Sequence, residues 1–298
     1  MVNPKFKPIV SVIIPTFNRT NFLKNTIKDL LNQSFNDFEI LVVEQSPNID
    51  DSIIELCHDN PEKVRLLIQK EPNLPKARNL GVINSKGEIL VFIDDDVKLN
   101  KDFIKNHLIN YENPSIYGVS GRIIENHSRI TKKRNIGYIT FLGRIINNRN
   151  NTIRTYISWL SGCNFSCRRV GFELVGGFDE NILGNHLFED VDFSYRLGRK
   201  IDCKLIFDPN AEVLHYASNS GGCSTRENSE EYRNYWFNRN KIYFMRKNGK
   251  KLQIISTHVS LSLKSVYLGI FRYKKISSFL KLMNGIYDGH KQFDDQKI

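Results

Sequence analysis

Long uncharged apolar runs are missing from this 298-residue chain. No stretch reaches the roughly 18 such residues that a membrane-spanning helix needs, so a transmembrane protein is not expected. Met1 to Pro8 is short and polar, unlike the apolar segment of a secretion signal. Cysteine is scarce: Cys57, Cys163, Cys167, Cys203 and Cys223, with no CxxC pair. An odd number without that spacing argues against a disulfide framework or a zinc site and suits a reducing cytoplasm. No internal repeat and no low-complexity tract stands out. What the chain does have is core-forming material. Hydrophobic residues make up 40% and aromatics 11%, which argues against disorder.

Charge is uneven. Residues 1–225 hold 28 Lys and Arg against 26 Asp and Glu, a net of +2, and residues 226–298 hold 15 against 6, a net of +9. The basic character belongs to the C-terminal segment. It suits anionic lipid, nucleic acid or a phosphorylated substrate, or simply a solvated helix surface.

Val10–Ile14 is a continuous β-rich run, as expected of a strand covered on both faces. Apolar residues in Asn21–Asn32 then follow helical spacing. Strand-like Phe38–Val43, helical Asp51–His58, strand-like Val64–Ile68, helical Pro75–Asn84 and strand-like Glu88–Ile93 continue the alternation. The pattern predicts an α/β fold, a sheet with helices on both faces. Ligands of such sheets sit beyond the carboxyl ends of the strands. Ile116–Ile124 reads as a strand, Asn126–Thr152 as a basic polar excursion, and Trp159–Cys167 as a strand. Leu205–Phe207 and Ala211–His215 read as two short strands, Ser218–Thr225 as a linker, and two helices follow.

The triplet Asp94-Asp95-Asp96 closes the Ile89–Ile93 strand. Three adjacent carboxylates repel one another unless they are solvated or a cation compensates them. Hard oxygen ligands suit Mg²⁺ or Mn²⁺, which can clamp a diphosphate; the plainer reading is a strand-end turn before a helix.

The ordered set VSVIIPTFNR (Val10–Arg19), VVEQS (Val42–Ser46), ARNLG (Ala77–Gly81), FIDDD (Phe92–Asp96), GCNFSCRR (Gly162–Arg169), GGFDE (Gly176–Glu180), FEDVDFSYR (Phe188–Arg196) and EVLHY (Glu212–Tyr216) resembles the family 2 glycosyltransferases. The resemblance covers roughly residues 9–217. It implies the GT-A fold, a Rossmann-like mixed sheet in a catalytic domain over 1–225, with a basic helical extension over 226–298. It also implies an inverting sugar transfer from a nucleotide diphosphate donor, a UDP-sugar, to a saccharide or lipid-linked saccharide in cell-surface polysaccharide synthesis.

Site roles follow from the resemblance. Pro15, Thr16, Phe17 and Asn18 would wall the nucleotide pocket, with Phe17 beside the uracil. Glu44 stands where the family has an aspartate accepting a hydrogen bond from the base; here Glu44-Gln45 replaces the usual Asp-Asp pair. Arg78 would lie near the nucleotide, pairing with the acidic cluster or a phosphate. Asp95 would touch the ribose or donor sugar and Asp94 would support the geometry. Asp96 and His215 would hold a divalent metal, Mn²⁺ or Mg²⁺. Asp190 would be the base, Glu189 its orienting neighbour and Asp192 a competing candidate on the acceptor side. Trp159, Gly162 and Asn164 would line the donor and acceptor wall. Gly176 and Gly177 would make a tight turn against the acceptor.

Leu252, Ile255, Val259, Leu263, Val266 and Ile270 share one helix face, with Arg272, Lys274, Lys275 and Lys281 after it. Such a helix suits either an anionic membrane surface, as a peripheral protein of the cytoplasmic face, or packing on the catalytic domain or in a homodimer. Two other classes are weighed. A sugar nucleotidyltransferase carries a glycine-rich basic loop after strand one, where this chain has Pro15-Thr16-Phe17-Asn18. A non-catalytic binder would use the basic tail, but no nucleic-acid motif is present, so no nucleic-acid partner is expected.

Overall fold

The computed structural model describes residues 8–125, 128–147, 149–200, 203–218, 221–222 and 229–296. Much of the expected linker Ser218–Thr225, and the start of the extension, lie outside the described residues.

The apolar runs become strands. β1 (Val10–Thr16), β2 (Phe38–Glu44), β3 (Val64–Ile68) and β4 (Ile89–Ile93) are parallel in the order β3-β2-β1-β4. Every residue of β1, β2 and β4 is buried. The intervening helices are α1 (Thr20–Leu31), α2 (Asp51–His58) and α3 (Leu74–Ile83). Asn73 caps α3 by accepting from the Lys76 N–H, with a proline in the first turn. After β4 the chain forms β5 (Val97–Leu99) and α4 (Phe103–Leu108), neither expected from sequence.

The far half of the sheet is mixed. β6 (Ile116–Glu125) follows, then a small hairpin of β7 (Tyr138–Ile139) and β8 (Ile145–Ile146) within the polar excursion, and β9 (Thr155–Ile157). β10 (Asn164–Arg168) lies antiparallel between β4 and β6. Residues 159–163, expected in a strand, instead form a turn whose Asn164 N–H bonds the Ser161 carbonyl. α5 (Arg169–Leu174) and α6 (Glu189–Gly198) precede β11 (Lys204–His215). β11 is one strand rather than two; its pairing with β6 shifts register between Asp208 and Val213, where Pro209 sits.

One core packs α1, α2 and α4 on one face of the sheet, through Leu23, Ile27, Ile53 and Phe103 among others. The other packs α3, α5 and α6 through Val82, Phe172, Phe193 and Leu197. Phe92, Phe165, Phe172, Phe178 and Phe193 stack or meet edge-on there.

Three C-terminal helices, not two, follow: α7 (Glu230–Asn248), α8 (Lys251–Val266, continued by a π-helical turn Tyr267–Arg272) and α9 (Ile276–Asp295). They pack against the α/β part of the chain. Lys247 pairs with Asp179 at 2.6 Å and Asp192 at 3.1 Å, and Asn248 donates to Asp192 at 2.7 Å. The Gln253 side chain donates to the Thr140 carbonyl of the hairpin. The inner face of α8 is Gln253, Thr257, Leu261 and Ser265. The apolar row read from sequence turns outward: Leu252, Ile255, Val259, Leu263 and Ile270 are 46–66% exposed. Lys251–Arg272 is long and apolar enough to cross a membrane by length and composition, but its polar inner face lies along α7 and the hairpin.

Candidate active site

β1 and β4 are parallel neighbours, so the residues that follow them meet at the carboxyl end of the sheet, where ligands of such sheets bind. Thr16, the last residue of β1, donates to Asp95 Oδ2 at 2.7 Å. Thr26 on α1 bonds the carbonyls of Asp95 and Val97 and fixes the backbone of the acidic tip. Arg19 reaches both inner carboxylates: its Nη1 lies 2.9 Å from Asp95 and 3.1 Å from Asp96. Its Nη2 donates to the Ser218 carbonyl. Burial pushes the Asp95 carboxyl up to about 7, with Arg19 and Thr16 opposing.

Asp96 is fully buried. Its Oδ2 accepts from the Ser218 N–H at 2.9 Å. Its Oδ1 accepts no well-aligned hydrogen bond, though His215 Nε2 lies 3.2 Å away. His215 Nδ1 lies 3.0 Å from Glu125 Oε1, and a carboxylate accepts, so Nδ1–H is the donor. Nε2 is thereby aimed at an uncommitted carboxylate oxygen. Burial works against a second proton on the ring, but the close carboxylate of Asp96, the hydrogen bond to Glu125 and the charge of Asp94 outweigh it. They push His215 up to about 10. A proton therefore sits on Nε2 wherever no other cation does.

This donor set fits a divalent metal. Ligand atoms of Asp94, Cys163 and His215 lie within 4.8 Å of one another. The Cys163 thiol is pushed well up by burial and then by Asp94 and Asp96, so it stays protonated and is a poor ligand. That leaves Asp94, Asp96 and His215, hard oxygens and an imidazole, as the residues that would hold Mn²⁺ or Mg²⁺. Glu125 orients the histidine as an outer carboxylate does in metal sites.

A pocket of about 350 Å³ opens over the tip, lined by Pro15, Thr16, Phe17, Arg19, Gln45, Asp94, Asp95 and His215 among others. That size suits a small ligand. Two residues expected here lie elsewhere. Asn18 is exposed outside the lining, and its N–H donates to Ser46 Oγ. Glu44 folds back: its Oε1 accepts from the N–H groups of Gln45 and Ser46 at 2.9 and 2.8 Å. It caps the turn after β2, and Gln45 lines the cleft in its place. Arg19 was not singled out from sequence, although it ends the Val10–Arg19 run.

Arg78 joins the two acidic clusters. It is 1% exposed, contacts Glu189, donates to the Gly162 carbonyl at 2.8 Å and lies 3.7 Å from Asp94. Its buried Nε has no hydrogen-bond partner among the described residues. Burial and the neighbouring Asp190 push the Glu189 carboxyl up, against the pull of Arg78. Asp190 Oδ2 accepts from the Gly162 N–H and its Oδ1 from the Val191 N–H, both at 2.7 Å. A Cβ on Gly162 would sit 3.0–3.2 Å from Glu189, Asp190 and Arg78, so only glycine leaves this junction undisturbed. Asp94 and Asp190 therefore lie near one buried guanidinium, Asp94 lining the pocket over the tip. Asp190 and Trp159 line a second pocket on the far side.

Three expected site residues are structural instead. Asn164 is fully buried; its amide donates to the carbonyls of Arg122 and Ala211 and its oxygen meets His107 at 3.0 Å. Asp192 is fully buried, held by Arg196, Lys247 and Asn248, and reaches neither pocket. Gly177 has φ 73, and an added Cβ would strike Asn79 and Phe172 rather than open space. The tight turn is there, but it packs against the core.

Known proteins agree with this architecture. TarS from S. aureus in complex with UDP-GlcNAc superposes with a TM-score of 0.65 at 16% identity, over 95% of this chain and 81% of that one. A mannosyltransferase from Pyrobaculum calidifontis in complex with GDP-Man and Mn²⁺ gives 0.58 at 14% identity, over 97% and 88%. At these identities the likeness shows the fold alone, the GT-A fold. A Campylobacter jejuni GalNAc(5)-diNAcBac-PP-undecaprenol beta-1,3-glucosyltransferase is 31% identical over 42% of this chain and 47% of its own. An uncharacterised glycosyltransferase of Rickettsia prowazekii is 25% identical over 88% and 80%. The chain spans only 25% of the length of a Sinorhizobium fredii relative and 16% of a Rickettsia conorii one. The family profile described as Glycosyl transferase family 2 matches residues 11–174, over half the chain, and takes in β1, the acidic tip, Arg78 and Gly162. With that match, the chain belongs to glycosyl transferase family 2 and is a glycosyltransferase.

Proposed function

We propose that this glycosyltransferase moves a sugar, with inversion, from a UDP-sugar to a saccharide or lipid-linked saccharide used in cell-surface polysaccharide. One observation carries the reading: Asp94 and Asp190 flank Arg78, with a pocket on each side. The donor occupies the pocket over the tip and the acceptor comes from the side of Asp190. The names of the TarS complex and of the Campylobacter jejuni relative support a UDP-sugar and a lipid-linked acceptor.

Asp190 sits at the start of α6, fixed by two backbone N–H groups, with lone pairs to spare. It takes the proton of the acceptor hydroxyl as that oxygen bonds to the anomeric carbon. The bond to the diphosphate breaks on the opposite face and its electron pair leaves with the diphosphate. Arg78, kept charged between Glu189 and Asp94, holds the junction. Asp94, Asp96 and His215 would hold a divalent metal, which would neutralise charge on the leaving diphosphate.

Asp190→Asn tests the base. Losing a general base lowers rates by about 10²–10⁴-fold. The expected result is that loss in transfer with UDP affinity within about twofold of wild type. Transfer at the wild-type rate would refute the assignment.

The outward apolar row of α8, with the basic residues after it, supports a peripheral site on the cytoplasmic face of an anionic membrane. Vesicle flotation is the measurement for it.

A further inference from the structure

The pocket beyond Asp190 is not neutral. It encloses about 370 Å³ and is lined by Arg144 and Arg149 on the hairpin side, Lys241 on α7, and the aromatic faces of Trp159 and Phe237. Three cations and one carboxylate thus share one cavity. Arg149 is committed, at 2.8 Å to Glu125. Arg144 and Lys241 have no carboxylate within ion-pair distance among the described residues. Lys241 is half-buried 5.7 Å from the Phe237 ring centre. Burial, then the charges of Lys264 and Arg144, hold it below the usual lysine range. Desolvated like charges held together without a counter-ion cost stability, and an anion entering the cavity relieves that cost.

We propose that this pocket takes a saccharide acceptor carrying an anionic group, a phosphate or carboxylate, which Arg144 and Lys241 bind while Trp159 and Phe237 cover the sugar. The proposal rests on the glycosyltransferase reading and names the substrate class for its acceptor side. Two sources carry that chemistry: a charged sugar of a soluble glycan, or the diphosphate of a lipid carrier. Guanidinium and ammonium groups bind either one.

The test is equilibrium binding of probes to the full chain saturated with UDP and Mn²⁺, so that no probe enters the donor pocket. The probes are a hexose, its 1-phosphate, the matching uronate, and the hexose on a short prenyl diphosphate. At least one anionic probe is expected to bind about tenfold or more tightly than the plain hexose, with affinity falling as salt rises. The soluble and prenyl arms separate the two sources. The pair Arg144→Gln and Lys241→Gln is expected to remove that preference while UDP affinity stays put and the melting temperature does not fall. A single Lys241→Arg change, which keeps the charge, is expected to retain it. Equal binding of all probes, or a preference that survives the double change, would overturn the proposal. Failure of UDP to bind at all would instead strike the donor-site reading and leave this pocket's preference to be read without UDP.

Discussion

Asn164 shows how far a motif residue's role can differ from its place. Its Nδ2 is pinned by two carbonyls, so its Oδ1 must accept, and the 3.0 Å partner, His107 Nε2, must carry a proton. His107 Nδ1 then accepts from Ser166 at 2.9 Å, and Ser166 is bonded to Tyr111. The ring is fully buried and neutral. Burial pulls His107 down to about 4. An unfolded histidine titrates near 6.5, so the unfolded chain binds this proton first as pH falls. Stability from this site is complete above that value and is lost between about 6.5 and 4, in all roughly 3 kcal/mol. Urea unfolding from pH 7 to 4.5 checks it: His107→Gln should show a shallower loss than wild type, and equal slopes would exclude the histidine. None of this was legible in the sequence, because Asn164, His107 and Tyr111 meet only through β10 and α4. The acidic tip was legible, since three carboxylates after an apolar strand limit the chemistry. Arg19, its neutralising partner, was not, because an arginine before a helix carries no pattern of its own.

At the scale of elements, β-rich runs gave β1 to β4 within a residue or two; β1, β2 and β4 are buried on both faces, which leaves little alternation to misread. β10 was harder: Trp159–Cys167 reads as one strand-like run, and only the Asp190–Gly162 bond and the 161–164 turn divide loop from strand. Helix α8 teaches a different lesson. The spacing of Leu252, Ile255, Val259 and Leu263 located the helix and its apolar face, but periodicity has no sign. Hydrogen bonds of Gln253 and Ser265 to the rest of the fold turned that face outward. Leu263 is 66% and Phe271 67% exposed, so Leu263→Glu with Phe271→Glu should leave the melting temperature unchanged. The same pair should abolish co-flotation with vesicles rich in anionic lipid. Undiminished flotation would show that this face does not hold the membrane.

The molecule as a whole is a sheet whose two halves deliver one acidic cluster each to the two sides of a buried arginine. The β1–β4 half brings Asp94–Asp96, and the 159–198 segment brings Glu189 and Asp190 against Arg78. Sequence order hinted at both clusters, and the resemblance put Arg78 beside the acidic tip, but neither showed that Arg78 also reaches Glu189, which lies far from it along the chain. The C-terminal helices hold α6, which carries the second cluster, through Lys247, Asn248 and Asp192. The central claim is a cation at Asp94, Asp96 and His215 serving the leaving diphosphate, and UDP release from a panel of UDP-sugars tests it directly. The account predicts release that needs added Mn²⁺ or Mg²⁺, falls to background in EDTA, and drops by about 10²-fold or more in Asp96→Asn. Equal release with and without chelator, or an Asp96→Asn enzyme as fast as wild type, would contradict it.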